Sequence, residues 1–290
     1  MSNWTAADIP DQTGRTFVVT GANSGLGAVA ARALGAKGAH VILAVRDTAK
    51  GERVAAEIGA NADVRRLDLA DLASVESFAD TVESVDVLVN NAGVMAVPQR
   101  RTADGFEMQI GTNHLGHLAL TGRLIDRISD RVVTMSSAMH QLGTIHLDDL
   151  NFERRRYSSW LAYGQSKLAN LLFTYELQRR LAAKGSAVKA LAAHPGYAAT
   201  NLQGRTEGFM DRLMPLANKV VAQSADMGAL PELYAATAPD VFGGAYIGPG
   251  GPFEMRGYPK VVASNRKSHD AAVAAGLWEL SEKLTGVTYP

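Results

Sequence analysis

Short β-branched runs alternate with helix-length stretches rich in Ala, Leu and Glu along most of this chain. That alternation constrains the fold more than any other feature. Strands are predicted at 16–20, 40–45, 64–67, 85–90, 131–135, 188–193 and 245–247, and helices at 27–37, 49–58, 72–82, 106–128 and 163–183. A helix between two strands returns the chain to the same edge, so successive strands run parallel. Right-handed crossovers spread the helices over both faces. The expected class is α/β: a single Rossmann-type doubly wound parallel sheet with helices on both faces. At 290 residues and 47% hydrophobic content the chain can bury a sizeable core. No repeat or Pro/Gly linker divides it, so one domain over residues 1–290 is expected. The least regular stretches, 140–159 and 201–223, follow strands. They are expected over the carboxyl edge of the sheet as substrate loops near 138–160 and 200–223.

Composition excludes several classes. Lys plus Arg and Asp plus Glu number 29 each, so no net charge favours a nucleic-acid partner. Cysteine is absent, which removes disulfides, thiolate nucleophiles and Cys-ligated metals and suits a reducing cytoplasm. Residues 1–11 lack the basic and apolar regions of a signal peptide, and no apolar run approaches the ~18 residues of a membrane span. A soluble, cytoplasmic protein is expected. His114 and His117 lie three apart, and His140 and His146 follow Ser137, but no carboxylate or cysteine completes a familiar ligand spacing with them. No metal is expected. The run Arg154, Arg155, Arg156 reads as a solvated face.

The first strand leads into Thr20-Gly21-Ala22-Asn23-Ser24-Gly25-Leu26-Gly27 and then a helix. Glycines here allow a sharp turn, close backbone approach to a pyrophosphate, and tight packing of helix on strand. The helix N-terminus then offers amide N–H groups to the phosphates. A purely structural turn is the alternative. Arg46 follows the second strand directly, where an acidic residue would favour a free ribose 2′-hydroxyl and an arginine accommodates a 2′-phosphate. NADP is therefore expected over NAD, the alternative being a solvated strand-end arginine.

Tyr163 and Lys167, four apart, share one helical face. A free phenol has a pKa of ~10, too high for a general base at neutral pH. A cation ~4 Å away at an effective dielectric of ~20 contributes about 4 kcal/mol, enough to lower it by about three units. Such a pair can also be a solvated surface pair. Its company argues for chemistry: Ser136 and Ser137 close one strand, Asn90 to Gly93 close another, and Asn113 lies in a helical stretch between them. A hydroxyl, a phenol, an ammonium and a carboxamide are what carbonyl/alcohol chemistry needs.

With these motifs in order, the chain resembles the short-chain dehydrogenase/reductase family almost end to end. The match runs through Thr-Gly-x-x-x-Gly-x-Gly at Thr20 to Gly27, Asn-Asn-Ala-Gly at Asn90 to Gly93, then Asn113, Ser137 and Tyr-x-x-x-Lys at Tyr163 to Lys167. Residues 43–52, 112–120, 160–173 and 277–287 resemble the retinol-dehydrogenase-like branch, as does the long stretch between Ser137 and Tyr163. The resemblance implies that Tyr163 is the general acid/base and that Lys167 lowers its pKa and holds the nicotinamide ribose. It implies that Ser137, rather than Ser136, bonds the substrate oxygen and that Asn113 positions a water relaying protons towards Lys167. It places Asp68 and Leu69 at the adenine, Asn91, Ala92 and Gly93 at the adenosine ribose, and Pro195, Gly196 and Thr200 at the nicotinamide and its phosphate. The branch's membrane-bound members carry an N-terminal apolar anchor that residues 1–11 do not resemble. Similarity to light-dependent protochlorophyllide reductases stops at the cysteine those enzymes use.

The resulting expectation is an NADP(H)-dependent oxidoreductase interconverting a carbonyl and an alcohol on a lipophilic small molecule. The alternatives are an NAD-dependent alcohol dehydrogenase acting on a small polar substrate, and a non-catalytic dinucleotide-binding regulator. Leu168, Leu171, Leu172, Phe173, Tyr175, Leu177 and Leu181 spread over more than one stripe of the catalytic helix. Either other helices of the same chain cover the surplus or it forms a dimer, and the dimer is expected. The stretch 208–221 reads either as an amphipathic lid or as a plain surface helix.

Overall fold

A computed structural model describes residues 3–197 and 223–289. Within them β1 (Thr16–Thr20), β2 (His40–Val45), β3 (Ala62–Arg66), β4 (Val85–Asn90), β5 (Ile128–Met135), β6 (Lys189–Ala193), β7 (Tyr246–Pro249) and β8 (Pro259–Val261) form one sheet, in the order β3-β2-β1-β4-β5-β6-β7-β8. Seven strands run parallel, and β8 pairs antiparallel with β7 at the edge. The α/β class and the doubly wound topology are as expected; β8 is an addition. The order reverses direction between β1 and β4, which places a crevice over the carboxyl ends of those two strands.

Alternate residues of each strand enter opposite cores. Phe17, Val19, Val41, Leu43, Val87 and Val89 join Ala28, Ala31 and Leu34 of α1 (Gly25–Gly35) and Val54 of α2 (Thr48–Ile58). Val18, Ile42, Leu88 and Val132 join Val75 and Phe78 of α3 (Leu72–Asp80) and residues from helices on the other face. Strands buried on both faces read as continuous apolar runs, which is why they were visible in the sequence.

The predicted helix at 106–128 is built from pieces. A short α4 (Met108–Ile110) passes into a π-helical turn, Gly111–Leu115, then α5 (Gly116–Leu124) and a 3-10 turn. The catalytic helix α6 (Ser159–Ala183) begins a turn before Tyr163. It is followed beyond β6 by α7 (Ala225–Thr237) and α8 (Ala271–Thr285). No helix among the described residues is long and apolar enough to cross a membrane.

The surplus apolar residues of α6 are covered within the chain. Leu168 and Leu172 pack with Ala274 and Leu277 of α8, Phe173, Leu177 and Leu181 lie with Trp278, and Leu171 meets Tyr246. Tyr175 stacks on His269, ring centroids 4.8 Å apart. The stripe from which a dimer was expected is therefore covered by the chain itself, while Trp160 and Leu161 in the first turn of α6 stay exposed. The arginine run also departs from its reading. Arg154 pairs with Asp148 in the open, but Arg155 reaches buried Asp149 at 3.0 Å and lies 4.0 Å over the Phe152 ring. Burial would raise the Asp149 pKa, yet the amides of Glu153, Arg155 and Arg154 and the Arg155 guanidinium hold it well below the carboxylate range. This arginine organises the 138–160 segment.

Candidate active site

Thr20 delivers β1 into the glycine turn. Gly21 (φ +70°) and Gly25 (φ +56°) occupy the left-handed region that favours glycine. A Cβ on Gly27 would stand 2.4 Å from Asn91 Nδ2 and 2.8 Å from the Gly21 carbonyl oxygen. Asn91 is itself fixed, its Nδ2 donating to the Thr20 carbonyl at 2.7 Å. Ser24 N-caps α1 without a side-chain bond, so the first-turn amides are left for an anion.

This turn opens onto a groove of about 750 Å³. Gly21, Asn23, Ser24, Gly25, Leu26 and Gly27 line one end, and Arg46 stands where β2 finishes. Asp68 and Leu69 follow β3, and Asn91, Ala92 and Gly93 follow β4; Tyr163, Lys167 and Pro195 close the other end. All these residues were expected to meet the cofactor. Gly196 is not among the lining residues. Its φ is +64°, and a Cβ there would stand 2.5 Å from the Met255 carbonyl oxygen, so it is a packing glycine against the loop after β7. Thr200, most of the loop near 200–223 and the stretch 208–221 lie outside the described residues.

Sequence reasoning missed Asp47, Thr48, Ala49 and Lys50, which bring the start of α2 into the groove. Asp47 is its N-cap, accepting from the Lys50 amide at 3.1 Å and pairing with Lys50 Nζ at 2.9 Å. The pattern of an acidic N-cap directly before a helix was there to be read. A second depression of about 410 Å³ lies against α3, bordered by Arg65, Arg66, Ser77 and Thr81. Arg65 is held there by Asp63 and the Thr81 carbonyl, and no catalytic set accompanies it.

At the far end of the groove Tyr163 and Lys167 are both buried. Burial pushes the Tyr163 phenol up to about 12, against a hydrogen bond from Ser137 that lowers it. Burial lowers Lys167 to about 8. Lys167 Nζ donates to the Met135 carbonyl at 3.0 Å and lies 5.7 Å from the centre of the Tyr163 ring. Desolvation is the largest influence on the phenol, so its pKa stands above the free value rather than below it as the charge argument expected. The two serines divide their work. Ser136 Oγ donates to the Lys167 carbonyl at 2.8 Å, while Ser137 faces Tyr163.

Asn113 sits in the π-helical turn, fully buried. Its Oδ1 accepts from the Val94 amide at 2.8 Å, and its Nδ2 donates to the Val94 carbonyl and to Ser166 Oγ, both at 2.9 Å. It thus holds the strand-end loop bearing Gly93, where a Cβ would stand 3.1 Å from Asn113 Oδ1 and 3.6 Å from Lys167 Nζ. His117 connects this turn to the glycine loop, with Nδ1 3.1 Å from the Asn113 carbonyl and Nε2 2.9 Å from Thr20 Oγ1. Burial takes the His117 pKa down to about 3, so the ring is a neutral bridge. Among the described residues no three His, Asp or Glu side chains are grouped to hold a metal.

A nucleotide-sized groove with a glycine cradle at one end and a Ser-Tyr-Lys set at the other defines a class. The short chain dehydrogenase family matches residues 15–209, and the chain belongs to that family. Within it the chain falls in the retinol-dehydrogenase-like branch. Retinol dehydrogenase 13 of Homo sapiens is 40% identical over 298 residues, covering 96% of this chain and 86% of the relative. Retinol dehydrogenase 11 of Homo sapiens is 41% identical, covering 94% and 86%. A solved structure of an uncharacterized protein from Mycobacterium paratuberculosis is 54% identical with a TM-score of 0.88, each chain covered in full.

Proposed function

We propose that this oxidoreductase interconverts a carbonyl and an alcohol on a lipophilic small molecule with NADP(H), Tyr163 being the general acid/base. The observation that carries the reading is buried Tyr163, hydrogen-bonded by part-buried Ser137 and beside buried Lys167, at the end of the groove. When bound, the dinucleotide supplies or accepts the hydride. The glycine turn and the start of α1 hold its phosphates, and Tyr163, Lys167 and Pro195 border its reactive end. A phenol near pKa 12 keeps its proton at neutral pH, the state required of a donor in reduction. Ser137 Oγ bonds the substrate oxygen, and Tyr163 gives that oxygen its proton as the alcohol forms. The ammonium of Lys167 then faces the phenolate. Oxidation runs the same steps backwards.

The preference for NADP rests on the end of β2. Asp47 is engaged by Lys50, whereas Arg46 is exposed on the groove with no partner among the described residues. A charge-assisted contact to a 2′-phosphate is worth ~1.5–3 kcal/mol, roughly a 10- to 100-fold preference. A lipophilic substrate is favoured by exposed apolar residues close in sequence to the pair: Leu142 follows Ser137, and Trp160 and Leu161 precede Tyr163.

Paired titrations with NADPH and NADH, followed by nicotinamide fluorescence, test the cofactor. Preference for NADPH that disappears in Arg46→Ala is expected; equal affinities would sink the assignment. A carbonyl screen with NADPH tests the chemistry. Tyr163→Phe is expected to bind NADPH normally and to lose at least ~100-fold in kcat, the scale of a lost acid/base. Turnover equal to the parent would refute the mechanism.

A further inference from the structure

Ser137 is the N-cap of the 3-10 turn Ala138–Leu142, and its Oγ accepts from the Met139 amide at 3.2 Å. How that turn is held therefore sets where the hydroxyl aims. On one side it meets the catalytic helix backbone to backbone: a Cβ on Gly143 would stand 2.4 Å from the Gly164 carbonyl oxygen. On the other side lies buried His140. Its Nδ1 is 2.7 Å from the Ser137 carbonyl oxygen, and its Nε2 is 3.2 Å from the backbone nitrogen of Asn265. A carbonyl can only accept and an amide N–H can only donate, so the ring is neutral with its proton on Nδ1. The contact is reciprocated. Asn265 Nδ2 donates to the His140 carbonyl at 3.1 Å, and Lys267 Nζ reaches the Gly143 carbonyl and Thr144 Oγ1, both at 2.9 Å. Asn265 is anchored in turn by its own cap, Oδ1 accepting from the Ser268 amide at 3.0 Å.

The geometry points to His140 as a positioning residue: it ties the Ser137 carbonyl to the Asn265 amide and so holds the Ser137 hydroxyl against Tyr163. The segment Asn265–Lys267, remote in sequence from Ser137, Tyr163 and Lys167, becomes part of the frame of the active site. The inference rests on the reading of Ser137 and Tyr163 as the pair that handles the proton.

Protonation of His140 would set an Nε2–H against the Asn265 N–H, two donors face to face. The groups around the ring are His194 from the end of β6, Glu254 from the loop after β7, Tyr246 of β7 and Lys267 on the Asn265 side. Tyr246 meets it edge-on at 5.8 Å between centroids, and His194 and Glu254 pair with each other at 3.1 Å. Burial lowers the His140 pKa below 6.5, against the Ser137 carbonyl that raises it; His194 lowers it and Glu254 raises it. The bridge is intact while the ring is neutral and is lost as pH falls through that lowered value, giving kcat an acid limb.

The test compares His140→Leu, Asn265→Pro and Asn265→Ala in carbonyl reduction, with sites counted by NADPH binding. Asn265 has φ −70°, which proline adopts, so Asn265→Pro deletes the N–H without straining φ at that position. Asn265→Ala loses the same side-chain bonds but keeps the N–H. A misplacement on the scale of 1 Å lowers kcat by up to ~100-fold. His140→Leu and Asn265→Pro are each expected to lose at least ~10-fold in kcat per NADPH site and to lose the acid limb, and together to lose no more. Asn265→Ala is expected to keep that limb. If His140→Leu does not fold, His140→Asn retains a donor for Ser137, lacks the acceptor for Asn265, and reports the same two quantities. A kcat per site and pH profile matching the parent in these variants, or a loss that only follows the number of folded sites, overturns the proposal. An active Tyr163→Phe would overturn it together with the site reading, whereas an inactive one beside unaffected His140 variants overturns the positioning role alone.

Discussion

Tyr163 stands between opposed demands: burial that excludes water from a reacting oxygen also penalises the phenolate, and Ser137 and Lys167 are the groups placed to offset it. Gly27 faces a simpler constraint. The atoms a Cβ would strike are a backbone carbonyl and an amide already bonded to Thr20, and neither can swing away. Overpacking of this kind costs about 1–3 kcal/mol. Gly27→Ala is expected to weaken NADPH binding roughly tenfold, read by fluorescence titration; unchanged affinity would mean the cradle is not the phosphate site. At this scale the sequence was informative wherever one residue type carries the chemistry, as at Tyr163, Lys167 and the loop glycines. It was silent where a partner decides the role. Nothing local marks Arg155 as a buried strut, since Asp149 becomes its partner only through the fold of the segment, and nothing marks Asn265 as the neighbour of His140.

Among the elements, the first seven strands and the catalytic helix were legible because apolar runs and turn residues agreed. What escaped was built against its local propensity. β8 is three residues long, starts with proline and lies on the sheet edge, so it has no period to detect. The π-helical turn needs tertiary contacts, which Asn113 and His117 supply. α7 carries Pro231 in its interior, a sequence signal against a helix, and directly after it comes buried Glu232. Neither carboxylate oxygen of Glu232 has a hydrogen-bond partner among the described residues, and burial pushes its pKa up to about 8. A carboxyl raised above its unfolded value near 4.5 contributes stability that is complete below that value and is lost as pH rises through about 8. Glu232→Gln is expected to flatten that decline and to melt higher than the parent above pH ~8. Thermal denaturation across pH checks it, and an unchanged slope would count against the buried neutral carboxyl.

Across the whole molecule, α8 is the element on which the catalytic helix leans. Trp278 is buried, stacked on Phe173 at 5.7 Å between centroids, with the Arg180 guanidinium 4.4 Å over its ring. Trp278→Ala should cost about 3–5 kcal/mol, read as a lower urea midpoint; a loss below ~1 kcal/mol would show that α8 is not a keystone. The pairing of β1 with both β2 and β4 follows from the doubly wound topology, while the covering of Leu168, Leu171, Leu172, Phe173, Leu177 and Leu181 by their own chain was one of two alternatives. Hydrophobicity alone could not choose, because a covered stripe and a dimer seam look identical in one dimension. The choice made by the fold bears on how the enzyme is born. While residues 271–285 are still inside the ribosome, the glycine turn and the Asn, Ser, Tyr and Lys of the site have already emerged, yet Leu168, Leu172 and Phe173 lack the α8 residues they pack against. The nascent chain thus carries its whole Ser-Tyr-Lys set before it has the element that holds that set in place.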